Sequence, residues 1–329
     1  MRVVDLFCGC GGLSLGFQNA GFDVVAAFDK WEAALKVYRL NFNHQADELD
    51  LSNVQTSTVI IDQLEPEMII GGPPCQDFSS AGKRDEEGGR GDLTVNFAQI
   101  ISHVRPKWFV MENVARITKT QKLIDAKAIF KEAGYGLSQH VLDASYCGVP
   151  QSRKRFFLIG KLREMDGFMT PFINKGLSSK PMTMRDYFGD SLGIEYYYRH
   201  PRSYVRRGIF SIDEPSPTVR GVNRPMPEGY QIHANDPVMS KEGIRSLTTL
   251  ERSYIQTFPR EYQFVGSKTD VEQMIGNAVP VNLAKFVGEA INKYIASPHQ
   301  SRNLELDFDN WKVEDRLAWF ASEPLEDRC

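Results

Sequence analysis

Short, largely apolar runs that break into glycine or a polar residue, and then into a helical segment, recur along the first half of the chain. Residues 3–7, 22–28, 68–70 and 108–111 have strand length and the near-continuous apolar character of strands buried on both faces. Helical segments separate them, one beginning at Leu13 and others over Glu32–Asn41, 95–104 and 121–133. A hairpin-like pair follows, with 155–159 as its second member. Alternation of this kind up to about residue 165 predicts a doubly wound α/β domain built on an open parallel sheet. From about 170 to 270 prolines, glycines and arginines crowd together, which predicts a smaller, irregular, β-rich domain. Helical signal returns at 248–257 and Val281–Ile295. Trp311, Val313, Leu317 and Phe320 are spaced as one face of a short helix that docks on the body.

Several of the strand ends carry chemistry. Residues 68–70 run into Gly71-Gly72-Pro73-Pro74-Cys75-Gln76, where two prolines fix φ and stiffen the loop from which Cys75 emerges. A rigid loop presenting one thiol suits a positioned nucleophile. A buried cysteine in a proline-rich turn fits the same residues. Cys8-Gly9-Cys10-Gly11-Gly12 forms a glycine turn between strand and helix, which lets a ligand approach the backbone. The dinucleotide pattern GxGxxG fails there because Ser14 stands in place of its third glycine. Asp29, at the tip of the second strand, is placed to accept ribose hydroxyls. Asp50, in the strand end at 49–52, is placed for an adenine. For both, a solvated loop acid is the competing reading. Residues 79–93, rich in glycine and charge, read as a long loop of the kind tied to lids or binding.

The 329 residues are 42% hydrophobic and 25% charged, an ordinary globular composition with room for one or two domains. No apolar run is long enough for a membrane helix, and the first residues read as a strand rather than a signal peptide. Five scattered cysteines suit a reducing cytosol. Cys8 and Cys10 have no partner motif that would complete a metal site, so no metal is expected. The net charge of −3 hides an uneven distribution. Residues 196–227 hold six arginines against two acids, whereas the residues after Ser297 hold eight acids against four bases. A local basic segment of this kind is what a groove-binding protein needs.

Read together, these motifs resemble the cytosine carbon-5 DNA methyltransferases of the bacterial type II restriction–modification kind. The matching stretches are Asp5-Leu6-Phe7-Cys8-Gly9-Cys10-Gly11-Gly12, Gly72-Pro73-Pro74-Cys75-Gln76, Glu112-Asn113-Val114 and Gln151-Ser152-Arg153-Lys154-Arg155. Further matches are Arg245-Ser246-Leu247-Thr248, Gln256-Thr257-Phe258-Pro259 and Gly276-Asn277-Ala278-Val279-Pro280, so that residues 1–296 are covered.

The resemblance implies an S-adenosylmethionine-dependent, Rossmann-like catalytic domain over 1–173, a target-recognition domain with its hinge over 174–272, a return to the catalytic domain over 273–296 and an acidic extension over 297–329. Cys75 would add to carbon 6 of a flipped-out cytosine, Glu112 would contact N3 and the exocyclic amine with a raised pKa, Arg155 would contact O2, and Arg153 would sit near the cysteine loop and Glu112. S-adenosylmethionine, leaving as S-adenosylhomocysteine, would meet Phe7, Gly9, Gly11, Gly12, Asp29, Asp50, Pro74, Asn277 and Val279. The family usually has Glu at the Asp29 position, one methylene longer, so the ribose contact could run through water. Duplex DNA would meet Gln76, Ser79, Arg206, Arg207, Thr218, Arg220 and Arg224. Residues 216–226 faintly resemble enzymes for short G·C-rich palindromes. A monomer acting on DNA in the bacterial cytoplasm, at the nucleoid, is expected.

The rivals are a tRNA cytosine-5 methyltransferase, an orphan regulatory DNA methyltransferase, a catalytically dead DNA-binding regulator and a nicotinamide-dependent oxidoreductase. No cysteine here is followed by the Phe-Thr of the tRNA branch. Retention of Cys75, Glu112, Arg153 and Arg155 speaks against a dead regulator. The broken glycine pattern, with no catalytic His or Lys–Tyr constellation, speaks against the oxidoreductase.

Overall fold

The computed structural model describes residues 1–74, 92–201, 203 and 205–297. Cys75, Gln76, Ser79 and the tail positions 311–320 lie outside the described residues.

The first half of the chain alternates as its apolar runs demand. The order is β1 (Arg2–Leu6), α1 (Gly12–Asn19), β2 (Asp23–Asp29), α2 (Glu32–Asn41), β3 (Gln45–Glu48), α3 (Val54–Asp62), β4 (Met68–Gly71), α4 (Leu93–Val104), β5 (Trp108–Val114), α5 (Gln121–Glu132), β6 (Tyr135–Asp143), β7 (Gln151–Ser152) and β8 (Lys154–Leu162). A seven-stranded sheet has the order β3-β2-β1-β4-β5-β8-β6. Its first five members pair in parallel, while β8 runs antiparallel to both β5 and β6. The expected hairpin-like pair is β6 and β8. The third strand ends at Glu48, so residues 49–52, expected within its end, form the loop beyond it.

Strand side chains alternate between two buried faces. Val3, Met68, Ile70, Trp108, Val110, Phe157 and Ile159 face one core, which α1 and residues 283–291 complete. Val4, Leu6, Ile69, Phe109, Met111, Phe156 and Leu158 face the other, under α4 and α5. Both faces being covered is why these strands read as apolar runs rather than as an alternation.

The rest comprises α6 (Thr170–Gly176), α7 (Met184–Phe188), β9 (Tyr196–Tyr198), β10 (Ile209–Ser211), β11 (Ser216–Pro217), α8 (Thr249–Ile255), α9 (Lys268–Asn277) and α10 (Val281–Ile295). β9 and β10 pair antiparallel, and β11 pairs parallel with β7. The helix α10 returns to pack against α1, with glycine at the contact. A Cβ on Gly16 would lie 2.3 Å from Ala284 Cβ and 2.5 Å from the Val281 carbonyl. α9 was not expected from its polar sequence, although Ser267 followed by Asp270 is a capping signal, and the Ser267 hydroxyl does accept from the Asp270 amide.

Candidate active site

Strand register assembles the site. Phe28, Leu6, Gly71 and Met111 form one row across four neighbouring strands. One step beyond that row stand Asp29, Phe7, Gly72 and Glu112, all at the carboxyl edge where parallel sheets bind ligands. These four line a cleft of about 830 Å³, whose other walls include Gly9, Gly12, Asp50, Pro74, Arg155, Asn277 and Val279. The volume lies within the range of small-molecule sites.

The glycine turn is shaped for close approach. Phe7, Gly9 and Gly11 have φ of 61°, 53° and 91°, so a bulky aromatic residue sits in the left-handed region at the mouth of the cleft. Such a conformation costs on the order of 1–3 kcal/mol and is held by its surroundings. Asp29 supplies part of that hold, since its Oδ2 accepts from the Gly9 amide at 2.7 Å and its Oδ1 from the Trp31 amide at 2.8 Å. Asp50 is bonded to Lys30 Nζ at 2.8 Å and accepts from the Ser52 amide and hydroxyl. The Lys30 bond, followed by the Ser52 bonds, pulls its pKa down to about 2.

Gly11 differs from the other glycines expected here. It does not line the cleft; a Cβ there would strike the Phe42 ring at 2.4 Å, so its role is packing at positive φ. Gly12 does both, because a Cβ would lie 2.3 Å from the Val279 carbonyl.

Glu112 is 8% exposed and receives Arg155 Nε at 3.0 Å. Burial raises its pKa, opposed by the charges of Arg155 and then Arg153. Arg155 sits on β8 opposite Val114, so antiparallel pairing brings it back beside the acid. Asn113 Nδ2 donates to the Pro73 carbonyl at 2.9 Å, clamping the proline turn to β5. Arg153, expected near Glu112, is close enough for its charge to act on the acid, while its own hydrogen bonds go elsewhere. It is 1% exposed and outside the cleft lining. Its guanidinium donates to the carbonyls of Val219 (2.9 Å), Gly276 (2.9 Å) and Ala278 (3.0 Å). The last two belong to the C-terminal end of α9, where unpaired carbonyls and the helix dipole both favour a cation.

The expected DNA-facing residues divide. Arg207 is paired with Glu214 and stands over the Phe210 ring at 4.3 Å. Thr218 Oγ1 donates to the Ser152 carbonyl at 2.9 Å, and Arg220 donates to the His200 carbonyl. Arg206 and Arg224 are exposed.

Sequence reasoning missed Lys30 and Trp31, which line the cleft beside Asp29 and Asp50. It also missed a buried chain in which Tyr38 donates to Ser14 at 2.7 Å and Ser14 to Asp5 at 2.5 Å, with His44 Nε2 2.7 Å from Tyr38. Burial lifts the Asp5 pKa to about 8 and that of Cys10 to about 12. Among the described residues no group of His, Cys, Asp or Glu could hold a metal ion, and no helix is long and apolar enough to cross a membrane.

A family model described as C-5 cytosine-specific DNA methylase matches residues 1–293. The type II methyltransferase M.HindV of Haemophilus influenzae is 59% identical over 302 residues, covering 92% of this chain and 99% of that protein. The type II methyltransferase M.HgiDI of Herpetosiphon aurantiacus is 51% identical over 302 residues, covering 92% and 97%. Among solved structures, the Dnmt2 methyltransferase of S. pombe superposes with a TM-score of 0.67 at 17% identity, covering 90% of this chain and 99% of that one, a likeness of fold.

Proposed function

Because this chain belongs to the C-5 cytosine-specific DNA methylase family, its reaction is methyl transfer to carbon 5 of cytosine in DNA, and we propose how its residues divide that work. The observation that carries the proposal is the buried Glu112–Arg155 pair, which lies in one cleft with Pro73 and Pro74. Cys75 follows Pro74 directly in the sequence.

A cytosine within a duplex is out of reach of a cleft, so the base is flipped into it. The Cys75 thiolate then forms a bond to carbon 6, and the electron pair displaced from the ring double bond enriches carbon 5 and the N3 side of the ring. Glu112, its pKa raised by burial, delivers a proton at N3, while Arg155 faces O2 and holds the carboxyl in place. Carbon 5, now nucleophilic, takes the methyl group. Loss of the carbon-5 proton to a base, cleavage of the C6–S bond and return of the N3 proton to Glu112 restore the aromatic ring, the thiolate and the acid.

The family generally uses S-adenosylmethionine, and the cleft suits it. A carboxylate stands at Asp29 for the ribose and another at Asp50 for the adenine amine. Phe7 and Trp31 line the same space. Gly9 and Gly12 keep the turn clear of side chains, and Asn277 and Val279 form the wall toward the methionine end. Asp29 retains a free lone pair on each oxygen after its two backbone bonds, so it can accept from the ribose without giving up the turn. When bound, the sulfonium supplies the electrophilic methyl.

Residues 174–272 act as the target-recognition part and 273–296 return to the catalytic part. Duplex DNA lies along the arginine-rich segment, with the exposed Arg206 on a phosphate and Gln76 and Ser79 near the flipped nucleotide. The chain works as a monomer in the bacterial cytoplasm, protecting host DNA against a cognate restriction enzyme.

Duplex DNA carrying 5-fluorocytosine at the target tests the chemistry, since fluorine replaces the proton that must leave. A stable covalent adduct is expected with the native chain and none with Cys75→Ser. An adduct that survives in Cys75→Ser overturns the assignment of the nucleophile.

A further inference from the structure

The arginine-rich segment holds six arginines, and the structure separates them by what their side chains already do. Arg199 donates to the Thr218 carbonyl at 2.6 Å. Arg207 is paired with Glu214, Arg220 donates to the His200 carbonyl, and Arg202 lies outside the described residues. Arg206 and Arg224 remain exposed, and neither guanidinium has a hydrogen bond or ion pair among the described residues.

Arg224 differs from Arg206 in the stiffness of its backbone. Upstream, the Ser216 amide donates to the Pro150 carbonyl at 2.9 Å. The Val219 peptide is gripped at both ends, its N–H by Gln151 Oε1 at 2.8 Å and its carbonyl by Arg153 at 2.9 Å. In the middle, Gly221 packs on Gly276 so closely that a Cβ on Gly276 would lie 2.1 Å from the Gly221 nitrogen. Downstream, Asn223 Nδ2 donates to the Leu247 carbonyl at 2.8 Å, and the Ser246 hydroxyl donates to the Arg224 carbonyl at 3.1 Å.

Gly276 lines the active cleft, so this loop is fixed at the cleft rim. Between its anchors Val222 points outward, 57% exposed beside the exposed Arg224. A cation and an apolar side chain two residues apart, on a backbone that cannot drift, form a reading head, because base discrimination depends on geometry held to a fraction of an ångström. Phosphate contact needs no such stiffness.

Resting on the methyltransferase reading above, we propose that Arg224 and Val222 determine target specificity. Arg224 reads a guanine through O6 and N7 in the major groove, and Val222 packs on the 5-edge of a neighbouring pyrimidine. Arg220, the other arginine expected to read a base, instead braces the loop from within.

The test methylates a random duplex library with the full chain and reads the sites by bisulfite sequencing, with binding to the best site and to scrambled duplexes measured alongside. The native chain is expected to show a guanine preference that Arg224→Gln loses at one position, discrimination there falling about ten- to a hundred-fold. Val222→Ala relaxes the adjacent position. Arg206→Ala weakens every duplex alike and flattens the salt dependence. An unchanged consensus in Arg224→Gln overturns the inference. So does an equal loss of binding to all duplexes, since that places Arg224 on a phosphate. Arg224→Lys keeps the charge but not the fork, so a full consensus in that variant also counts against guanine reading. Failure of the native chain to methylate any cytosine would instead overturn the function on which the inference rests.

Discussion

Replacing Glu112 with Gln separates its two duties, proton donor and counter-ion. In the native chain a buried carboxylate receives Arg155 Nε at 3.0 Å, and burial raises its pKa against the pull of Arg155 and Arg153. Gln keeps an acceptor in the same place but removes the counter-charge. A charge-assisted hydrogen bond becomes an ion–neutral one, at a cost of about 1–2 kcal/mol. Leu, which leaves the guanidinium buried and unpaired, costs about 3–5 kcal/mol. For a chain of this size the Gln variant therefore melts roughly 1–3 °C lower. Its chemistry suffers more, because losing a positioned proton donor costs about 10²–10⁴ in rate. The pH profile carries the sign. Below its raised pKa Glu112 holds the proton it delivers to N3, and above it the proton is gone. The native rate thus declines on the alkaline side, whereas the low rate of Glu112→Gln does not follow that decline. Single-turnover transfer of labelled methyl to DNA across the whole pH range in which both proteins stay folded, with thermal unfolding of both, provides the measurement. A variant within about tenfold of native rate, or one keeping the native alkaline decline, refutes the proton-donor role.

Asp29→Asn should weaken both the turn and the cleft, since its carboxamide can accept from only one of the Gly9 and Trp31 amides and must turn an NH2 toward the other. Calorimetry with S-adenosylhomocysteine should show affinity falling about tenfold or more, and native affinity would remove Asp29 from the site. Asp5→Asn bears on stability alone. With the folded pKa raised from 3.8 to about 8, the native contribution is complete below the unfolded value and is lost as pH rises through the folded one. Asp5→Asn should therefore melt above the native chain at pH 8–9 and converge with it near pH 4; the opposite trend in thermal scans would refute the assignment. Gly16→Ala drives a Cβ to 2.3 Å from Ala284 Cβ and should cost about 1–3 kcal/mol at the α1–α10 contact, read as a lower melting temperature.

The strands and the rim residues at their ends were legible because each strand is buried on both faces, leaving a run of apolar residues with a visible stop. Asp29 could be read as a strand-tip candidate for that reason, alongside a solvated loop acid, whereas Glu112 took its role from the family resemblance. Roles that depend on partners far along the chain could not. Arg153 and Arg155 sit two apart, yet one meets Glu112 and the other is drawn to carbonyls at positions 219, 276 and 278. Nothing local to Gln151-Ser152-Arg153-Lys154-Arg155 marks that difference. Gly11 and Gly12 are likewise neighbours in one motif, and only the positions of Phe42 and Val279 decide which of them faces the cleft. Lys30 and Trp31 follow a strand inside a turn, where no periodicity reports on them.

The arrangement around Arg153 explains why polar residues are buried where residues 151–153, 219–221 and 275–278 meet. The wall of the cleft formed by 276–279 is the end of α9, and a helix that stops at a cleft leaves carbonyls facing inward. Those carbonyls are covered by residues 219–221, so water cannot satisfy them and side chains must. Gln256 donates to the carbonyls of Ile275 (2.6 Å) and Ala278 (3.0 Å), and Gln151 bridges Gln256 Oε1 to the Val219 amide. Arg153 supplies the remaining donors and a positive charge at the negative end of the helix. An apolar side chain in any of these places would strand buried acceptors at about 1–3 kcal/mol each. The same donors that finish α9 also hold Val219. The position of the cleft wall at 276–279 and that of the loop at 219–224 are therefore fixed by one buried network, anchored two residues from the arginine that meets Glu112.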